Sequence, residues 1–259
     1  MLRDYQRRAI DQLYDWLGNN SGNPCLVLPT GAGKSHIVAA LCKEIVQGYS
    51  DTRILMLSHQ KELIGQNAEK MRLHWPNAPM GIYSAGMNKR QIDTITFASI
   101  QSVAKRAASL GSRDVVIIDE CHMMNNKESG NYRTLLAQLM AINPALRVIG
   151  LTATPYRLGQ GKLTDGDTAI FADLVEPVTV KELVERGFLA PLKSKHTTAM
   201  IDTSQVKKRG GEYIADQLQG AADAITAEAI SEIIDRAEDR RHWLLFCSGV
   251  AHAQHCADE

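Results

Sequence analysis

The sequence predicts an α/β fold, a parallel sheet covered by helices on both faces, and three observations carry that expectation. Strand-like runs alternate with helical patterns from the N-terminus as far as "GLTATP" (150–155). The runs, "VVIID" (115–119) among them, are continuously apolar rather than alternating, as strands buried on both faces require. The stretch "LVLPTGAGKS" (26–35) sets a glycine-rich turn between an apolar run and a helical pattern, a strand–turn–helix suited to holding phosphate.

Taken in order, Tyr5 to Leu17 carries Ala9, Ile10, Leu13 and Leu17 at helical spacing. "CLVLP" (25–29) reads as a buried strand, Ser35 to Val46 as a helix, "RILMLS" (53–58) as a strand and Lys61 to Leu73 as a helix. "IDTITF" (92–97) is strand-like, Ser99 to Leu110 helical, "DVVIID" (114–119) a strand, Tyr132 to Ile142 a helix and "LRVIGLTA" (146–153) a strand. Residues 157–169, rich in Gly and Asp, predict a mobile loop. "KKRGGE" (207–212) predicts another, whose Lys207, Lys208 and Arg209 suit either a solvated turn or a phosphate contact. An Ala-rich helix from about Gly220 to Glu238, a strand "HWLLFCS" (242–248) and the start of a further helix follow, and the sequence stops inside that pattern.

Composition narrows the classes. With 44% hydrophobic residues in 259, the chain can bury a sizeable core. Lys+Arg and Asp+Glu both number 29, which argues against a strongly basic protein that coats nucleic acid. It leaves open one that grips phosphates through amides and hydroxyls. Five scattered cysteines without C-x-x-C spacing suggest reduced thiols in a cytoplasmic protein. The amphipathic N-terminus is no secretory signal, and no apolar stretch approaches the roughly 20 residues of a membrane span.

Chemistry concentrates at three places. Gly31 and Gly33 let the backbone curl its amides inward, Lys34 can reach β- and γ-phosphates, and Ser35 can ligand Mg²⁺. Leu28 stands where the general Walker pattern has a small residue, so that pattern is not met in full. In "VVIIDECHMM" (115–124), Asp119 ends a buried strand at the carboxyl edge of the sheet, where open α/β folds bind ligands. It suits a shared Mg²⁺ with Ser35, and Glu120 is placed to orient and deprotonate a water. Cys121 with His122 is the rival, a thiol nucleophile, but the acidic neighbours would raise the thiol pKa. "GLTATP" ends a further strand with two hydroxyls, Thr152 and Thr154. "CSGVAHAQHC" (247–256) holds two Cys and two His, yet a strand end and one helix offer no loop to close a zinc tetrahedron.

In this order, GAGKS, DECH and LTATP resemble motifs I, II and III of the superfamily 2 helicases and translocases. That resemblance implies a RecA-like P-loop NTPase domain using ATP and Mg²⁺. It assigns catalysis to Lys34, Asp119, Glu120 and His122, metal binding to Ser35 and Asp119, and coupling to Thr152 and Thr154. The nucleotide cradle would comprise Arg3, Gln6, Thr30, Gly31, Ala32, Gly33, Lys34 and Ser35. "RDYQ" (3–6) is similar to the Q motif, and a Gln amide can satisfy adenine N7 and N6; the plainer alternative is a solvated helix-end residue. "LMLSHQKELIGQ" (55–66) and "FASIQS" (97–102) resemble motifs Ia and Ib, which implies nucleic-acid contacts from Ser58, His59, Gln60, Ser99 and Gln101. Each of these polar groups also suits a helix cap. "HWLLFCSGVAHAQ" resembles motif IV. The resemblance is strongest to RadD-type proteins of bacteria and phages, in "VLPTGAGKS", "DECH" and "GLTATPYRLG".

The implied organisation is a RecA-like domain over 1–200, a linker over 201–225 and the start of a second RecA-like domain over 226–259. Motifs V and VI, with the arginine finger, do not occur in these residues, which implies weak turnover by this stretch alone. The implied activity is an ATP-driven motor on DNA in repair or replication, with RNA as the alternative track. A regulatory module that grips nucleic acid without moving is the rival of another class, and protein partners are unassigned. "NKRQ" (88–91) misses the guanine-reading N-K-x-D, which disfavours a GTPase.

Overall fold

The computed structural model describes residues 2–124, 130–157, 161–192, 198–209, 212–237 and 241–259. It divides into two compact units, Met1–Pro191 and Leu192–Glu259. The first opens with α1 (Asp4–Asn19), β1 (Pro24–Val27), α2 (Lys34–Gly48), β2 (Ile54–Ser58) and α3 (Lys61–His74). Then come β3 (Met80–Ser84), β4 (Lys89–Arg90), β5 (Ile95–Ser99), α4 (Ile100–Val103), α5 (Ala107–Leu110) and β6 (Val115–Asp119). The unit continues through α6 (Asn131–Ile142), β7 (Arg147–Thr152), β8 (Tyr156–Arg157), β9 (Gly161–Lys162), β10 (Asp173–Val175) and α7 (Val180–Glu185).

Eight strands form one sheet in the order β10-β1-β7-β6-β2-β5-β3-β4, and every pairing is parallel except β3 with β4. Successive strand side chains point to opposite faces, so each apolar strand feeds two cores. On one face Leu26, Ile54, Met56, Phe97, Ile117 and Leu151 pack with α1, α2 and α3. On the other, Val27, Leu55, Leu57, Val116, Ile118 and Val148 pack with α4, α5 and α6. Burial on both faces is why these strands tolerate no alternation, each large side chain contributing roughly 1.5–3 kcal/mol.

Several elements differ from expectation. The helix over 99–110 is broken at Ala104–Arg106 into α4 and α5. Strands β3, β4 and β10 and helix α7 were not legible, and residues 157 and 161–162 of the expected loop pair as the β8–β9 hairpin. Residues 158–160, 210, 211 and 238, on which loop, helix and motif readings also fell, lie outside the described residues. Leu28, just past β1, departs from the Walker pattern because it still bonds to the neighbouring strand and packs in the core. Its amide donates to the Thr152 carbonyl at 2.8 Å and its side chain is fully buried.

The second unit holds β11 (Lys208–Arg209) antiparallel to β12 (Glu212–Tyr213), then α8 (Ala215–Asp223), α9 (Thr226–Arg236) and α10 (Val250–Asp258). The single helix expected near 220–238 breaks because the Thr226 hydroxyl donates to the Ala222 carbonyl (3.0 Å), competing with the helical ladder. The strand expected over 242–248 is not formed. Among the described residues no strand pairs with it, and an unpaired strand has no partner for its amides. Leu244 and Phe246 there are 81% and 93% exposed. No described helix is long and apolar enough to cross a membrane.

Candidate active site

Parallel register brings five strand ends to one edge of the sheet. Val27 pairs with Thr152, Leu151 with Asp119, and Ser58 with Ser99, so the GAGKS, LTATP and DECH turns emerge side by side. Beyond β1 the chain curls through Gly31 and Gly33, both at φ 82°, and Lys34 opens α2. That left-handed conformation suits glycine and turns the following amides toward one point at the helix N-terminus. Ser35 is half-buried in the first turn of α2, and Thr30 and Gly31 are exposed at the loop tip.

One strand, β7, separates β1 from β6, so the strands that lead to Lys34 and to the DECH turn lie about 10 Å apart. Their side chains close the gap, with Lys34 Nζ 3.4 Å from Glu120 Oε1. Glu120 is in the left-handed region (φ 49°, ψ 48°), where a non-glycine residue costs on the order of 1–3 kcal/mol. Its other oxygen lies 3.3 Å from His122 Nδ1, which lies 2.8 Å from the Thr152 hydroxyl. Thr152 Oγ1 donates to the Thr154 carbonyl (3.2 Å) and accepts from the Thr154 amide (2.9 Å). The Thr152 hydroxyl links the Thr154 backbone to the His122 ring. A polar chain thus runs from Lys34 through Glu120 and His122 to Thr152 and Thr154.

Asp119 is buried, accepting from Asn67 Nδ2 at 3.0 Å and from the Glu120 amide at 3.1 Å. Burial raises its carboxyl above the usual range, Asn67 opposes that, the Glu120 charge adds to it and Lys34 offsets it. The folded state therefore holds this proton more tightly than the unfolded chain. The group favours folding at low pH and costs stability as pH rises through its titration. Asp119→Asn should accordingly raise the nucleotide-free melting temperature at neutral pH, with the gain shrinking as pH falls. Thermal melts from neutral to mildly acidic pH check both.

Gln6 is 6% exposed and closes a capping box at the start of α1, so it is a helix-end residue but not a solvated one. Its Oε1 accepts from the Arg3 amide (2.9 Å) and its Nε2 donates to the Ala32 carbonyl (3.0 Å), where Tyr5 Oη also donates (3.1 Å). Each amide atom keeps one further hydrogen-bonding position, enough to read a base edge. Beside it lies a cavity of about 350 Å³ lined by Arg3, Tyr5, Gln6, Gly31, Gly33 and His36. The Arg3 guanidinium lies 4.7 Å from the Phe188 ring centre. A Cβ on Gly33 would stand 2.5 Å from Gln6 Nε2, whereas one on Gly31 would meet only the end of Leu189, at 2.8 Å. Gly33→Ala, with about 1–2 kcal/mol of left-handed strain and a displaced Gln6, should therefore lose more nucleotide affinity than Gly31→Ala. Fluorescence anisotropy with a labelled ATP analogue measures the difference.

Of the residues matched to motifs Ia and Ib, Ser58 and Ser99 are buried at the edge and His59, Gln60 and Gln101 lie around them. Gln101 Nε2 donates to the His59 carbonyl (3.0 Å), and Ser99 Oγ donates to Ser102 Oγ (2.7 Å). None of them caps a helix with its side chain. Cys121 is fully buried with Sγ 3.5 Å from Cys25 Sγ, packed into the sheet rather than turned to the Lys34 side. The reading of Cys247, His252 and Cys256 is corrected in its geometry. Their ligand atoms lie within 4.8 Å of one another, because His252 and Cys256 share one face of α10, though three ligands fall short of a structural zinc site. Sequence reasoning missed Asn67 and Tyr5. Asn67 occupies the stripe Ile64–Ala68–Met71, and a polar residue on an apolar stripe was the available signal.

A family model described as "Type III restriction enzyme, res subunit" matches residues 1–157, more than half of the chain. The chain belongs to that family. It is similar to the Type I restriction enzyme EcoAI endonuclease subunit of Escherichia coli, at 25% identity over 97% of this chain and 33% of the relative. It is also similar to the ATP-dependent RNA helicase DHX58 of Mus musculus, at 28% identity over 54% of this chain and 24% of the relative. It therefore spans a third or less of the length of these two relatives. Among solved structures, the UvsW helicase of bacteriophage T4 superposes with a TM-score of 0.54 at 21% identity, covering 68% of this chain and 60% of that one. That likeness speaks for the RecA-like fold. The res-subunit family and its helicase relatives place the chain in superfamily 2 and do not single out the RadD type.

Proposed function

We propose that this res-subunit chain binds ATP with Mg²⁺ at the β1–α2 turn and hydrolyses it to drive movement along DNA. The observation that carries the reading is the 3.4 Å approach of Lys34 Nζ to Glu120 Oε1 across an intervening strand, at the carboxyl edge of the sheet. The glycine curl fits a phosphate chain, the buried Asp119 carboxyl and the Ser35 hydroxyl in the first turn of α2 are ligands suited to a hard cation, and Gln6 fits adenine. The bound metal would neutralise charge developing on the transferred phosphate. Lys34 would hold the phosphates, Asp119 and Ser35 the metal, and Glu120 would accept the proton of the attacking water. Through His122, that event reaches Thr152 and Thr154, the coupling pair.

DNA is favoured as the track because the family and the Escherichia coli relative are restriction-enzyme subunits. We also propose that residues 226–259, after a linker over 201–225, belong to the start of a second RecA-like domain, and that the protein works in the cytoplasm in DNA repair or replication. The test is steady-state hydrolysis with single-stranded DNA, duplex DNA and RNA compared side by side. Stimulation by DNA above RNA supports the reading, stimulation by RNA alone replaces the track, and no stimulation by either leaves a nucleotide-regulated module.

A further inference from the structure

A second polar depression opens on the same unit, well away from the β1–α2 turn. It measures about 330 Å³, and its lining includes Arg90, Gln101, Ser102, Lys105, Arg106 and Asn131. Five strand spacings separate β1 from β3, beside which it lies, so it is about 24 Å from the phosphate turn. Three cations and no carboxylate line it, in a chain whose formal charge is zero. Among the described residues none of the three makes an ion pair. Such local asymmetry is informative, because unpaired cations that converge repel one another unless an anion joins them.

The walls are held in place. Asn88, in the left-handed region (φ 51°), turns β3 into β4 and sets Arg90 opposite Tyr83. Ser102 Oγ accepts from the Ala85 amide (2.9 Å) and from Ser99 Oγ (2.7 Å), which fastens that hairpin to α4. Lys105 and Arg106 lie in the break between α4 and α5, so the interruption of the expected helix is what presents them. The depression is also continuous with the strand-edge row, since Gln101 lines it and donates to the His59 carbonyl.

We propose that Arg90, Lys105 and Arg106 form a cradle for backbone phosphates of the DNA strand, extending the row Ser58–His59–Ser99–Gln101 beyond its hydroxyls and amides. The inference rests on the DNA-motor reading above and names cationic contacts that reading does not contain. The three cations converge without an acidic partner in the lining, which suits phosphate, and such a contact is independent of sequence.

The experiment is fluorescence anisotropy of a labelled single-stranded oligonucleotide and its duplex with the full chain, across a salt series. The variant is Arg90→Ala/Lys105→Ala/Arg106→Ala, with Arg90→Lys/Arg106→Lys as the charge-keeping control. Each neutralised phosphate contributes about 0.7–0.9 to the slope of log affinity against log salt, so the triple variant should lose about 2.1–2.7 from that slope. At ~0.1 M salt this is roughly a hundred- to five-hundredfold weaker binding. The control should keep the slope, and the triple variant should bind a labelled ATP analogue as the wild type does. An unchanged slope in the triple variant, beside tight wild-type binding, overturns the cradle alone. Loss of nucleotide binding in that variant also overturns it, by showing a structural role. A wild-type chain that binds neither DNA form removes the DNA reading itself, and the cradle with it.

Discussion

Glu120→Gln should leave ATP binding intact while turnover falls by about 10²–10⁴, the usual contribution of a positioned general base. Glutamine keeps the shape of the side chain and most of its hydrogen bonds, but it accepts no proton. The substitution also removes the negative charge 3.4 Å from Lys34 Nζ. Lys34 is then freer to turn to phosphate, so nucleotide affinity should hold or rise rather than fall. Glutamine costs no more than glutamate in the left-handed conformation at position 120, so the turn survives. Cys121→Ser is the contrast. Its sulfur packs against Cys25 inside the sheet, so turnover should stay near wild type while stability drops. Single-turnover hydrolysis paired with equilibrium nucleotide binding reads both variants. A collapse in Cys121→Ser with activity retained in Glu120→Gln would reinstate the thiol.

Lys34→Ala should weaken ATP binding roughly ten- to hundredfold, since a charge-assisted contact contributes about 1.5–3 kcal/mol. The amides of the glycine turn remain, so binding is diminished and not abolished. The variant also leaves Glu120 without its 3.4 Å partner, but both groups are partly solvated, at 16% and 24% exposed side chains. Water can therefore take over much of the lost pairing, and the fold should persist. Calorimetric titration with ATP gives the affinity, and an unaltered value would remove the phosphate role of this turn.

The strands β1, β2, β6 and β7 were legible because double-sided burial writes itself as unbroken apolar runs. GAGKS, DECH and LTATP were legible for a related reason, since phosphate and metal chemistry needs these residue types at fixed local spacing. The short strands β3 and β4 were not, because Gly81 and the exposed Lys89 and Arg90 interrupt any run. Strand 242–248 shows the converse. Its composition is that of a strand, but an apolar run becomes a strand only where a neighbour pairs with it.

By itself the sequence determined the parallel α/β class, the strand-to-helix turn that carries Lys34 and Ser35, and the strand end that carries Asp119 and Glu120. Those are local facts, set by periodicity and by residue type next to glycine or at the end of an apolar run. The tertiary structure alone decided the rest. Strand order places β7 between β1 and β6, which brings Lys34 to Glu120 and His122 to Thr152. Asn67 reaches Asp119, and Arg90 comes to line the same depression as Lys105 and Arg106. Local spacing says which groups a chain possesses, whereas which of them meet depends on sheet register and helix packing, and these follow from burial summed over the whole domain.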